Sequence, residues 1–154
     1  MPHFAPKRVI LDACVLYPPT LRDTLLRLAE AGLLRPYWSE AILEEVARNL
    51  LAENVTPAQV QHLLAQMCRA FPEALVVGYE ARLAEAHNHP KDRHVVAAAL
   101  HAGAAVIITD NLRDFRPEDI PEGVECASAD DFLLSLLDRS PRTVLDVLRA
   151  QAAA

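Results

Sequence analysis

The sequence predicts an α/β fold, a three-layer α/β/α sandwich with a central parallel sheet. Short apolar runs alternate with longer segments of helical periodicity, and the apolar runs lack the polar alternation of strands with one wet face. Strands of that kind are buried on both sides, so helices must cover the sheet above and below. The length of 154 residues suits one domain. We therefore expect a single domain over residues 1–154, with C-terminal helices from about residue 128.

The elements follow from apolar runs and from residues that start or stop helices. The first half contains a strand at 9–11, a helix at 21–31, a strand or extended link at 33–38, a helix after Ser39 and a helix from Pro57 to about Phe71. The second half contains a strand at 75–77, an ambiguous segment at 79–87, a helix at 95–102, strands at 105–109 and 124–126, and helices beginning near Ser128 and Ser140. Parallel sheets of this type bind ligands at the carboxyl ends of their strands.

Composition excludes several classes of protein. The net charge of −6 argues against a passive nucleic-acid binder, although an acidic metal site in a nuclease also contributes negative charge. The longest apolar run, at 95–100, is too short to cross a bilayer, and residues 1–6 lack the apolar core of a signal peptide, so we expect a soluble cytoplasmic protein without a membrane partner. Cys14, Cys68 and Cys126 are widely spaced, which disfavours a zinc site or disulfide framework and predicts small core residues.

Acidic residues recur where regular elements begin or end. The positions are Asp12, Glu45, Asp92 and the stretch from Asp110 to Asp114. Buried carboxylates are rarely tolerated unless they are paired or bound to a cation. If the fold brings them together, a proton or a divalent metal must relieve their repulsion. A metal-dependent hydrolytic site is the resulting hypothesis.

Each acid also has an ordinary structural explanation. Asp12 can be a turn or cap residue instead of a metal ligand, and Asp92 can be the N-cap of the next helix. Glu44 and Glu45 lie about 100° apart on a helix, so only one faces the site, and Glu45 is nearer the apolar stripe.

The last acidic stretch follows the predicted strand at 105–109. On an extended chain, Thr109 and Asn111 point the same way and Asp110 points the other. Asp114 lies further round the turn and can swing back toward the site. The sequence therefore predicts that this stretch contributes to the site, without deciding which of its residues does so.

Taken in order, these segments resemble the PIN-domain family of small metal-dependent ribonucleases. The matching pieces are the strand that ends at Asp12, the Ser39-to-Glu45 helix start, the Asp92-Arg93-His94 helix start, and the segment Ile107 to Phe115. The similarity extends from Val9 to about Leu137. One position departs from the family pattern, because Asn111 stands where the family often has an aspartate. An amide can bind a cation through its oxygen, but it brings no charge.

The resemblance implies a function and a set of site residues. It implies an endoribonuclease that uses Mg²⁺ or Mn²⁺ to hydrolyse phosphodiester bonds of single-stranded RNA. It also implies a toxin of a type II toxin–antitoxin pair, with an antitoxin protein as partner and a homodimer as the assembly. The catalytic acids would be Asp12, Glu45, Asp92 and Asp114. The metal ligands would be these four with Asn111, and with Asp110 as a weaker candidate. Candidate contacts to substrate are Thr109, Arg93 and Arg113.

Other classes of protein share single features of this pattern. A phosphatase or dehalogenase of the haloacid class would have a second aspartate two residues after Asp12, where Cys14 stands. A response-regulator receiver would need an early acidic pair and a later lysine, which are not evident. A degenerate PIN-like domain that only binds a protein partner remains open, because of Asn111.

Overall fold

The computed structural model describes residues 5–154 and contains a five-stranded sheet in the order β3-β2-β1-β4-β5. The strands are β1 (Lys7–Leu11), β2 (Leu34–Ser39), β3 (Leu75–Val76), β4 (Val106–Ile108) and β5 (Glu125–Ala127). All four neighbouring pairs are parallel. Helices flank this sheet, so the predicted α/β sandwich with a central parallel sheet is confirmed.

Seven α-helices and several 3₁₀ turns connect the strands within the described residues. The helices are α1 (Ala13–Leu16), α2 (Pro19–Glu30), α3 (Glu40–Ala52), α4 (Pro57–Ala70), α5 (Arg93–Ala102), α6 (Ala129–Arg139) and α7 (Pro141–Ala153). The 3₁₀ turns are Tyr79–Glu85, Pro90–Asp92, Leu112–Asp114 and Pro117–Asp119. Residues 33–38 are thus largely strand, and the ambiguous segment at 79–87 is largely 3₁₀ helix. Helix α1 is not predicted from the sequence, because four residues are too few to show a periodic pattern.

Side-chain caps fix where the helices begin. The Ser39 hydroxyl, at the end of β2, accepts a hydrogen bond from the backbone N–H of Ile42 at 3.2 Å. Thr56 and Gln59 form a reciprocal capping box at the start of α4, with Pro57 at its first position. Because Ser39 ends β2 and caps α3 at once, Glu45 is carried on the second turn of a helix that starts at the carboxyl edge of the sheet.

The two central strands meet at the point where the chain reverses its direction across the sheet. The residues Val9–Leu11 of β1 and all three residues of β4 are buried. The chain moves outward from β1 to β3 and then returns to place β4 on the other side of β1. The backbone N–H of Asp12 donates to the carbonyl of Ile108 at 3.1 Å, so the two strands remain paired to their ends. A crevice at the carboxyl ends of β1 and β4 is the usual ligand position in such a sheet.

The cysteines lie at the margin of the core. Cys14, Cys68 and Cys126 are all reduced and half-buried, packed against the buried cluster, so the expectation of core residues holds only in part. Burial raises the pKa of the Cys126 thiol to about 11. No helix between residues 5 and 154 is long and apolar enough to cross a membrane.

Candidate metal centre

Asp12 stands directly after β1 and is held by the protein through both of its carboxylate oxygens. Oδ1 accepts the backbone N–H of Ala13 at 2.8 Å and caps α1. Oδ2 accepts the hydroxyl of Thr109 at 2.9 Å. The side chain is 4% exposed. Asp12 is therefore a helix cap and a carboxylate of the crevice at the same time.

Thr109, the residue after β4, connects Asp12 to the segment that follows β4. Its hydroxyl donates to Asp12 and accepts the backbone N–H of Asn111 at 3.1 Å. The Sγ atom of Cys14 lies 3.3 Å from the same hydroxyl. Thr109 has no exposed surface, and its contact with substrate stays a prediction. The side chain holds Asp12 in place.

Asp92 is the second buried carboxylate of the crevice. It occupies the N-cap position of α5, yet its side chain makes no capping hydrogen bond. It is 3% exposed, and its Oδ2 lies 3.5 Å from the Nδ2 of Asn111. Burial raises the pKa of Asp92 to about 6, with the charge of Asp12 and a contact with Asp114 acting in the same direction. A role as helix cap therefore does not explain why the Asp92 carboxylate is buried here.

Asn111 joins Asp92 to Asp114. Its Nδ2 donates to the Oδ2 of Asp114 at 2.6 Å, besides the longer contact to Asp92. The hydrogen bond from Asn111 lowers the pKa of Asp114, which is half-buried at the end of a 3₁₀ turn. One amide therefore faces two carboxylates with its donor atom. In the structure the amide nitrogen faces the two acids, and the binding of a cation through the amide oxygen of Asn111 stays a prediction.

His89 belongs to the same group and is not predicted from the sequence. One possible ligand atom from each of His89, Asp92 and Asp114 lies within 4.8 Å of the others. His89 precedes Asp92 by three residues, and the 3₁₀ turn between them has about three residues per turn, so the two residues lie on the same side. The backbone N–H of His89 also donates to the carbonyl of Asp114 at 3.3 Å. Spacing on a short turn is a weak signal, which explains why the residue is missed.

Glu45 lies near the crevice on the side of His94. It is half-buried whereas Glu44 is exposed, as the periodicity of α3 predicts. Burial lowers the pKa of His94, while the charges of both Asp12 and Glu45 raise it. The Nδ1 of His94 is buried without a hydrogen-bond partner among the described residues. Glu45 is thus placed close to His94 and outside the group formed by His89, Asp92 and Asp114.

Three remaining candidates have separate positions. Asp110 is exposed, and its Oδ1 accepts the N–H of Ala129 at 3.1 Å, so it is turned toward the start of α6 and away from the other acids. Arg93 donates through Nε to the carbonyl of Asn88 at 2.9 Å and holds the loop before α5. Arg113 is exposed, and its charge contributes to the lowered pKa of Asp114.

The donor set suits a hard divalent cation. Carboxylate oxygens are the ligands that Mg²⁺ and Mn²⁺ prefer. Asp92 and Asp114 share this corner of the crevice, and the raised pKa of Asp92 reflects the cost of keeping it ionised there. A bound cation would remove that cost.

Comparison with known proteins assigns the family. The model of the PIN domain matches residues 8–113, about two thirds of the chain, and ends one residue before Asp114. A protein of Mycobacterium tuberculosis (strain ATCC 25618 / H37Rv) named "Putative ribonuclease VapC50" is 46% identical over 67 residues, which cover 42% of this chain and 39% of that protein. The match therefore spans about two fifths of the relative's length. No solved structure matches the chain significantly. The family match places Asp12, Glu45, Asp92 and Asn111 inside the matched range, and the chain belongs to the PIN domain family.

Proposed function

We propose that the protein is an endoribonuclease that hydrolyses single-stranded RNA with the help of Mg²⁺ or Mn²⁺. The observation that carries the proposal is the pair formed by Asp92 and Asp114 at the switch point of the sheet, with the pKa of Asp92 raised to about 6. Membership of the PIN domain family supports it, as does the name of a relative that is called a ribonuclease. A buried acid with a perturbed pKa in a crevice is typical of a functional site.

The acids of the crevice would hold the cation. We assign Asp92 and Asp114 to it first, with Asp12 and Glu45 as further acids whose charges both act on His94. Bound there, the ion would supply Lewis acidity, which activates water and offsets negative charge on the attacked phosphate. Asp92 must give up its proton to take part, and near neutral pH it does so because its pKa is about 6. Thr109 keeps Asp12 fixed through the hydroxyl contact at 2.9 Å.

The substrate would approach along the rim of the crevice. Lys91 and Arg113 are exposed beside the acids and can contact phosphate groups, which positions a strand without selecting its sequence. The protein carries a net charge of −6, so its bulk charge repels RNA. Substrate binding should therefore depend on the cation in the crevice more than on the overall surface.

We also propose, on the family resemblance, that the protein is the toxin of a type II toxin–antitoxin pair and acts as a homodimer with a protein antitoxin. Induced expression should stop growth of the host, and Asp92→Asn should relieve the arrest. Co-expression of a short reading frame from beside the gene should relieve it too and should co-purify. Equal arrest by the wild type and Asp92→Asn would contradict a toxin whose effect depends on cleavage.

Cleavage of a labelled single-stranded RNA tests the enzymatic part. Activity should disappear in excess chelator and return with Mg²⁺ or Mn²⁺. Glu45→Gln should lower activity, whereas Glu44→Gln, a matched change at an exposed neighbour, should leave it unchanged. Undiminished cleavage in excess chelator would contradict the proposal, and equal effects of the two glutamine variants would remove Glu45 from the site.

A further inference from the structure

His89 is the exposed member of the group at the rim of the crevice. One of its ring nitrogens lies within 4.8 Å of carboxylate oxygens of Asp92 and Asp114. Histidine is a common metal ligand, so metal binding is the first role to consider. The hydrogen bonds around the ring favour a different one.

One ring nitrogen of His89, Nδ1, already has a hydrogen-bond partner within the protein. Nδ1 accepts the backbone N–H of Lys91 at 3.2 Å, which closes the 3₁₀ turn. A neutral imidazole whose Nδ1 accepts a hydrogen bond carries its proton on Nε2. An Nε2–H group has no lone pair for a cation. While this turn is intact, His89 therefore presents a hydrogen-bond donor and no metal ligand.

The backbone keeps His89 beside Asp114. The N–H of His89 donates to the carbonyl of Asp114, which ties the turn before α5 to the turn after β4. The side chain remains exposed, so the donor is open to a bound molecule. Asp92 and Asp114 offer only acceptors when ionised. A ligand that binds the cation held by the acids and also contacts His89 must therefore carry acceptor oxygens.

We propose that His89 is a substrate-binding residue, whose Nε2–H donates a hydrogen bond to a phosphate oxygen of RNA held at the cation. This inference rests on the proposed function, because that function supplies the phosphate. A hydrogen bond to a charged acceptor contributes more than one between neutral groups. A phosphate contact positions the chain and gives no base specificity. His89 should thus affect cleavage of all RNA sequences alike.

Four variants separate the possible roles of the ring. His89→Ala removes both nitrogens. His89→Gln keeps an N–H donor at a reach similar to that of Nε2. His89→Asn keeps an acceptor that can replace Nδ1 in the turn, but its side chain is too short to place a donor where Nε2 lies. His87→Ala changes an exposed histidine two residues away and serves as the control. Steady-state cleavage and calorimetric titration with Mn²⁺ should be measured for each.

The expected result is a loss confined to substrate use. His89→Ala should raise KM for RNA by about tenfold or more, the loss of one hydrogen bond to a charged group, and leave Mn²⁺ affinity unchanged. His89→Gln should recover most of the loss, His89→Asn should not, and His87→Ala should behave as wild type. Long-range ¹H–¹⁵N NMR should show the Nε2–H tautomer of His89 before and after Mg²⁺ is added.

Several outcomes would overturn the inference. A drop in Mn²⁺ affinity for His89→Ala equal to that of Asp92→Asn, or a change to the Nδ1–H tautomer on adding Mg²⁺, would make His89 a ligand. Rescue by Asn but not Gln would make it only a cap of the turn, and wild-type kinetics of His89→Ala would remove it from the site. In these cases the proposed function stands. A wild-type protein that neither binds Mn²⁺ nor cleaves RNA would overturn both.

Discussion

The two sides of the crevice are built on different principles. On the first side, which we call the Asp12 side, Asp12 and Thr109 follow directly after the central strands, and each oxygen of the Asp12 carboxylate has a donor from the protein. On the second side, the Asp92 side, Asp92, Asn111 and Asp114 lie on or beside 3₁₀ turns, and one amide serves two carboxylates. On the Asp12 side, both carboxylate oxygens have their own hydrogen-bond donor without a ligand. On the Asp92 side, two carboxylates share the donor group of one amide.

This difference assigns separate tasks to the two sides. On the Asp12 side, backbone and hydroxyl donors hold both carboxylate oxygens in place. Asp92 has only the long 3.5 Å contact from the Asn111 amide, and burial with two acidic neighbours raises its pKa to about 6. The Asp12 side therefore offers a carboxylate fixed in position, and the Asp92 side offers the place where a bound cation would stabilise the site most. Substitutions on the two sides should therefore differ in the size of their effect.

Replacing Asp92 should have the largest effect. Asp92→Asn removes the carboxylate that most needs a cation, so Mn²⁺ affinity and cleavage should fall by more than the roughly 10- to 100-fold that loss of an outer-shell partner costs. Calorimetry and RNA cleavage measure the two losses. Asp146→Asn, an exposed acid on α7, is the control and should change neither. Retained Mn²⁺ affinity in Asp92→Asn would show that the cation does not bind on the Asp92 side.

Removing the hydroxyl of Thr109 tests how much the fixed side contributes. Thr109→Val leaves Asp12 without its 2.9 Å donor, so we expect a loss of about 10- to 100-fold in metal affinity or cleavage. The buried acceptor left unpaired should also lower the free energy of unfolding by about 1–3 kcal/mol. Thr24→Val removes another buried hydroxyl, bonded to Gln151 at 2.7 Å, and should cost stability alone. Equal kinetic effects of both variants would argue against a support role for Thr109.

The sequence predicts the sheet and Asp12 because local signals agree with the global fold there. The strand before Asp12 is uniformly apolar and its last three residues are buried, as a parallel central strand requires. Ser39 and Thr56 are good N-cap residues, and both cap helices in the structure. An acid at the end of such a strand falls at the ligand-binding edge by topology alone.

The Asp92 side could not be predicted to the same depth. Its geometry depends on two 3₁₀ turns, at 90–92 and 112–114, that meet in space through the contact between His89 and Asp114. Short turns have no periodic pattern that would fix which way a side chain points. The sequence therefore gives Asn111 as an amide near acids but not which of its atoms faces them, and it gives no sign that His89 completes the group.

The pH dependence of stability should separate the sides further. In the metal-free protein the folded state keeps a proton on Asp92 up to about pH 6, while the unfolded chain loses it near the ordinary value of 3.8. The folded state thus binds more protons in this window, so the free energy of unfolding of the wild type should fall as pH rises, by at most about 1.4 kcal/mol per pH unit. Urea unfolding in chelator, with Asp92→Asn as the reference that cannot titrate there, measures it. Parallel curves for the two proteins between about pH 4 and 6 would contradict the raised pKa.

The smallest effect concerns Asn111, where exchange of the side-chain nitrogen for an oxygen turns a hydrogen-bond donor into an acceptor. Asn111→Asp replaces the donor that lies 2.6 Å from Asp114 with a third acceptor, so the metal-free protein should lose stability through repulsion. The added charge should tighten Mn²⁺ binding by on the order of 1 kcal/mol, as a close charge at a partly exposed site does. Thermal unfolding with and without Mn²⁺ should therefore show a lower Tm in chelator and a larger shift on adding metal. Asn111→Ala separates the loss of the donor from the added charge, because it removes the donor alone. It should lower the Tm without tightening Mn²⁺ binding. Unchanged behaviour of both variants would mean that the amide does not hold Asp92 and Asp114 together.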